Sequence, residues 1–122
     1  PIGLIMAADY SCKKILDRGL ETIQAHHKDL REYVEKELTA LGFGLFVEKE
    51  ENRGNTLVSL LGNDKIDTKV IIKRLDTEYD YSVAGGQGEY VGKLMRVGCI
   101  GELTKEDIVN LVNAIKTIVS TM

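Results

Sequence analysis

Arg96 stands in the middle of an otherwise apolar run, Leu94-Met95-Arg96-Val97-Gly98. A guanidinium in such a place needs a partner, because arginine is rarely buried unpaired. It is also the side chain best shaped to grip a carboxylate through two parallel hydrogen bonds. The residues alone leave two readings open. One is an arginine at the sheet rim or paired with a local Asp or Glu, which is the commoner case. The other is an arginine that holds an anionic ligand.

The remaining candidates point away from chemistry. His26 and His27 are adjacent, and neighbours on a helix project about 100 degrees apart, so they cannot easily chelate one metal. His27 falls on an apolar stripe, where a packed, hydrogen-bonded core histidine is expected. Cys12 and Cys99 lie far apart and form no CxxC pair and no zinc spacing. Both are expected as small core residues rather than nucleophiles. A reduced cytoplasmic interior is the simplest reading, with one disulfide left open. Gly86-Gln87-Gly88 is a GxG, but a strand follows it, whereas a dinucleotide site needs a helix N-terminus there. No phosphate-binding GxxxxGK[ST] and no GxSxG nucleophile elbow occur. No catalytic residue, cofactor ligand or metal ligand is assigned within the chain.

The elements that must position Arg96 follow from periodicity. Ile2, Ile5, Met6, Cys12, Ile15 and Leu16 recur at helical steps up to a break at Gly19. A second helical stripe runs Leu20, Ile23, His27, Leu30, Val34, Leu38, Leu41, with Glu32 and Lys36 as an outward (i, i+4) pair. Gly42 is placed to end it. Leu45-Phe46-Val47 and the stronger Asn55–Leu61 read as strands, with Glu48–Gly54 as a polar loop. Asp67 can cap a third helix that carries Val70, Ile71, Leu75 and Tyr79. Tyr81–Ala84 and Lys93–Cys99 are the last two strands. In the latter, Leu94, Arg96 and Gly98 share one face and Met95, Val97 and Cys99 the other. Thr104 with Asp107 resembles a capping box for the final helix, whose buried stripe is Ile108, Leu111, Val112, Ile115 and Val119. This order predicts an α+β, two-layer domain: a small, mostly antiparallel sheet with helices packed on one face.

Composition fits that domain. Of 122 residues, 43% are hydrophobic and 29% charged, with a single proline, which excludes disordered and collagen-like classes. Sixteen basic against nineteen acidic side chains give a net charge of −3, so no basic excess exists to neutralise a nucleic-acid backbone. The apolar start, Pro1–Ala8, is too short to span a bilayer and lacks the flanks of a signal peptide. Pro1 rather than Met stands first, which suggests a piece of a longer protein.

The stretch Val83-Ala84-Gly85-Gly86-Gln87-Gly88, followed by Arg96-Val97-Gly98-Cys99-Ile100-Gly101, resembles a signature near the C-terminus of class V aminotransferases. These are fold type I pyridoxal-phosphate enzymes, here of the alanine–glyoxylate/serine–pyruvate type. In that family an "ALxGGxG" turn leads into a strand reading "RIGHMG" or similar. Gly19-Leu20, His27 and Leu41-Gly42-Phe43 are similar to the family's long helix pair, and Pro1 to the second proline of its "TPP". Cys99 stands where His is frequent, and His26 where Arg is frequent, which leaves substrate choice open.

The resemblance implies that residues 1–122 are the C-terminal small domain of such an enzyme. Its partners would be its own large domain and a second identical subunit. It implies amino transfer from an alanine-, serine- or aspartate-like donor to a 2-oxo acid such as glyoxylate or pyruvate. Pyridoxal 5'-phosphate would be bound mainly by the large domain, whose lysine is not matched here, so this piece is expected to be inactive alone. By the same resemblance Arg96 matches the arginine that holds the substrate α-carboxylate. A desulfurase of the same class would need a mobile-loop cysteine, which Cys99 on a strand does not supply. The competing reading is a stand-alone α+β module that binds a ligand or a protein, since fold does not fix function.

Overall fold

In the computed structural model, which describes residues 1–122, the elements follow the predicted order. Helices α1 (Ile2–Arg18) and α2 (Leu20–Ala40) come first. Strands β1 (Gly44–Leu45) and β2 (Leu57–Leu61) follow, then helix α3 (Thr68–Tyr79). Strands β3 (Ala84–Gly85) and β4 (Leu94–Gly98) and helix α4 (Lys105–Ser120) complete the chain. Short 3-10 turns at Glu50–Asn52 and Gly88–Tyr90 sit within the two long loops.

The sheet has the order β1-β2-β4-β3 with every pair antiparallel. Its central register pairs Val58 with Val97, Ser59 with Arg96 and Leu60 with Met95. Directly opposed residues share a face, so the alternation in β4 extends to its neighbours. Val58, Leu60, Met95, Val97 and Cys99 face the helices and are buried. Against them pack Leu30, Val34 and Leu38 of α2, Ile71 and Leu75 of α3, and Ile108, Val112, Ile115 and Ile118 of α4. Each fully buried aliphatic side chain contributes roughly 1.5–3 kcal/mol. The α+β two-layer reading holds, with the helices on one face of the sheet.

The helix ends have their expected chemistry. The Asp67 carboxylate accepts from the backbone N–H of Lys69 at 2.8 Å and of Val70 at 3.2 Å. Thr104 and Asp107 form a reciprocal capping box. Gly42, at a φ of 101°, turns the chain out of α2, where a side chain would be strained.

Several expectations are corrected. The strands are shorter than their apolar runs, because competing hydrogen bonds stop the ladders. The Val47 carbonyl accepts from Arg53 Nε at 2.8 Å, so β1 ends before it. The Tyr81 N–H is tied back to the Leu75 carbonyl at 3.0 Å, so β3 pairing begins only at Ala84. Glu32 pairs with Lys28 and Arg31 rather than Lys36. The stripe on α2 is buried only from Leu30 onward; Leu20 is exposed. Helix α1 has no buried residue, so Cys12 is exposed rather than in the core. Both cysteines are free, so no disulfide forms. The hydrogen-bonded histidine is His26, whose Nε2 lies 2.8 Å from the Leu103 carbonyl. His27 is only half-buried, and its Nδ1 has no partner.

Candidate functional site

The sheet face away from the helices carries Leu57, Ser59, Leu61, Leu94, Arg96, Gly98 and Ala84, by register with β4. Phe46 extends this face by one strand, since it follows Leu45↔Leu60 and its N–H donates to the Ser59 carbonyl at 3.0 Å. One row across the sheet therefore reads Phe46, Ser59, Arg96, Ala84: an aromatic ring, a hydroxyl, a guanidinium and a methyl group.

Arg96 is half-buried in this row. Its Nε donates to the Gly85 carbonyl at 3.0 Å. None of the chain's ion pairs includes it. The other four arginines are all paired: Arg18 with Glu102, Arg31 and Arg53 with Glu35, and Arg74 with Glu78. The prediction of a guanidinium within an apolar strand thus resolves in a specific way. The backbone carbonyl fixes one edge of the fork, and the two terminal nitrogens are left facing solvent without a protein acceptor. Two parallel N–H groups in that state match a carboxylate.

The loop joining β3 to β4 folds over the same face. Its Tyr90 ring meets Phe46 edge to face, with centroids 5.0 Å apart. It covers Leu94, which is 6% exposed although it points away from the helices. Periodicity alone does not single out Gly85, Ser59, Phe46 or Tyr90 as neighbours of Arg96. The alternation along Asn55–Leu61 could have placed Ser59 on the Arg96 face.

Nothing else in the chain offers comparable chemistry. A groove of about 470 Å³ lies between α1, α2 and the segment after β4, lined by residues including Tyr10, Lys14, Arg18, His27 and Glu102. Its charges are already matched. Lys14 Nζ donates to Glu102 at 3.2 Å and Arg18 lies 3.6 Å from the same carboxylate, and this pairing holds Glu102 below the usual carboxylate range. Cys99 is fully buried, and burial, aided by the charge of Glu35, pushes its thiol up to about 11, the opposite of an activated nucleophile. No group of three or more His, Cys, Asp or Glu could hold a metal.

No family model matches the chain. Individual relatives do, and several of them are named as glyoxylate aminotransferases. The chain is 30% identical over 104 residues to an L-aspartate–glyoxylate aminotransferase of Paracoccus denitrificans, covering 85% of this chain and 26% of that one. It is 26% identical over 117 residues to the alanine–glyoxylate aminotransferase of Felis catus, covering 95% of this chain and 28% of the relative. The crystal structure of an alanine–glyoxylate aminotransferase from Nostoc sp. superposes with a TM-score of 0.80 at 33% identity, over 87% of this chain and 28% of that one. The resemblance to class V aminotransferases therefore holds along nearly the whole chain. Specifically, the chain is homologous to one segment of the glyoxylate aminotransferases and spans just over a quarter of their length.

Proposed function

We propose that residues 1–122 are the C-terminal small domain of a class V aminotransferase and that Arg96 holds the α-carboxylate of its amino-acid and 2-oxo-acid substrates. The observation that carries this reading is the free fork of Arg96, fixed at Nε by Gly85 and unclaimed by any acid of its own chain. A carboxylate received there is oriented in two dimensions, so that the substrate's Cα presents one face to the reacting groups. That is catalysis by orientation, with the arginine taking no part in bond making. Alanine-, serine- or aspartate-like donors and glyoxylate as acceptor fit the names of relatives, and pyruvate is the second acceptor of this reading.

Pyridoxal phosphate is the group this chemistry calls for, and the residues present do not fit it. A lysine that joins the cofactor must be desolvated to lose its proton, and no lysine of the chain is buried. The cofactor site belongs to the proposed large domain. Helix α1 supplies a face for docking that domain or a second subunit. Ile2, Leu4, Ile5, Met6 and Leu16 are each between 65% and 78% exposed, an apolar patch of the kind that marks an interface. No helix is long and apolar enough to cross a membrane.

The test is turnover by the full-length protein. Alanine, serine or aspartate mixed with glyoxylate should form glycine, and serine or aspartate mixed with pyruvate should form alanine. Absence of exchange with every pair would contradict the assignment.

A further inference from the structure

We propose that Gly86 is a positioning residue for Arg96: its lack of a side chain lets the β3–β4 loop close onto the open face, and that closure sets the Gly85 carbonyl that holds the guanidinium. The inference rests on the reading of Arg96 given above and adds a residue that touches neither substrate nor guanidinium.

The geometry is a short chain of contacts. Arg96 Nε donates to the Gly85 carbonyl at 3.0 Å. The next residue, Gly86, donates its N–H to the Leu94 carbonyl at 2.9 Å, so the acceptor of Arg96 is flanked by a ladder bond to β4. The loop then doubles back. Tyr90 N–H donates to the Gln87 carbonyl at 3.1 Å, and Lys93 N–H to the Tyr90 carbonyl at 3.0 Å. This brings the Tyr90 backbone directly against Gly86. A Cβ at Gly86 would overlap the Tyr90 carbonyl oxygen and stand 2.7 Å from the Tyr90 carbonyl carbon and 2.9 Å from Leu94 Cβ. Two of these obstacles are backbone atoms, which cannot swing aside as a flexible side-chain tip would. The loop is also strapped at its far end, where Thr68 Oγ, fully buried, donates to the Gly92 carbonyl at 2.8 Å. With one end held by Thr68 and the other by the strand, an added methyl at position 86 displaces the segment between them, and the Gly85 carbonyl moves with it. By contrast, a Cβ at Gly85 would meet only Ile72 Cδ1 at 3.5 Å and the Leu94 carbonyl oxygen at 4.0 Å, ordinary contacts. The two glycines are therefore not equivalent.

The experiment is a double-mutant cycle in the full-length protein: Gly86→Ala, Arg96→Ala and the pair, with KM and kcat measured for the amino-acid donor. Gly86→Ala should raise KM roughly tenfold, the factor for misplacing one charge-assisted contact, with a smaller change in kcat. In the Arg96→Ala background it should change KM little, because its effect passes through the arginine. Unchanged KM in Gly86→Ala, or effects of Gly86→Ala and Arg96→Ala that simply multiply, would overturn the proposal while leaving Arg96 in place. An unchanged KM in Arg96→Ala itself would remove the underlying reading and the proposal together. Should Gly86→Ala fail to fold, Thr68→Val releases the far strap without adding volume. It should raise KM in wild type and not in Arg96→Ala, and no change in either would overturn the proposal.

Discussion

Two arginine sites in this chain show opposite uses of the same side chain. Beneath the β1–β2 loop, Arg31 is 3% exposed and donates from Nη1 to both oxygens of Glu35 at 3.1 Å. Arg53 reaches the same carboxylate at 3.3 Å and binds the Val47 carbonyl through Nε. That cluster ties α2 to the loop after β1, and each guanidinium in it meets a carboxylate. On the far side of the sheet, Arg96 has one backbone acceptor and no acid. A buried guanidinium already matched to a carboxylate is structure. A half-exposed one fixed on one edge and unmatched on the other is prepared for a ligand. Local hydrophobicity would have ranked them the other way, since Arg31 is the more deeply buried.

The largest expected effect breaks the structural side of this contrast. Glu35→Ala removes the carboxylate that Arg31 and Arg53 share, leaving Arg31 with the longer contacts to Glu32 and Glu50, and should destabilise the fold by about 3–5 kcal/mol, read as a lowered denaturation midpoint. Next, the two faces of β2 should differ. Leu60→Ala, in the core, should cost about 2–5 kcal/mol, whereas Leu57→Ala, on the open face, should stay within about 0.5 kcal/mol. Equal losses would mean that something covers the open face in the folded protein. Asp67→Ala should cost about 1 kcal/mol through its lost cap, measured by urea titration.

The smallest effect separates the thiols. Native 122-residue chain should be alkylated at Cys12 and not at Cys99. Because the folded Cys99 thiol is raised to about 11, its contribution to stability is full below the ordinary thiol value and is lost as pH rises toward 11. Cys99→Ala should flatten that alkaline slope.

Element order and the choice of buried faces were legible because they rest on periodicity, which single residues carry. The alternation through Arg96 and the two capping residues, Asp67 and Thr104, needed nothing beyond neighbours in sequence. Strand ends were not legible, because they depend on which group takes each backbone bond: Arg53 intercepts the Val47 carbonyl, and Leu75 holds the Tyr81 N–H. Cys12 and the start of the α2 stripe were placed in a core that does not extend to them. An apolar helical stripe reveals a face meant for burial and not what covers it. Arg31 and Glu35 at (i, i+4), flanked by Leu30 and Val34, were a readable buried pair that was missed. That Arg96 lacks an acid could not be read at all, since sequence does not say which of nineteen Asp and Glu residues reaches it in space.

The central claim is that Arg96 serves a ligand and the Arg31–Glu35–Arg53 cluster serves the fold. The most direct measurement is Arg96→Gln in the full-length protein, with melting temperature and the KM for the amino-acid donor taken on the same sample. The account predicts a melting temperature within about two degrees of wild type, as for a half-exposed group with no ion pair. It predicts a KM raised by roughly a hundredfold for loss of a bidentate charged contact. An unchanged KM, or a fall in melting temperature large enough to explain the loss of activity, would contradict it.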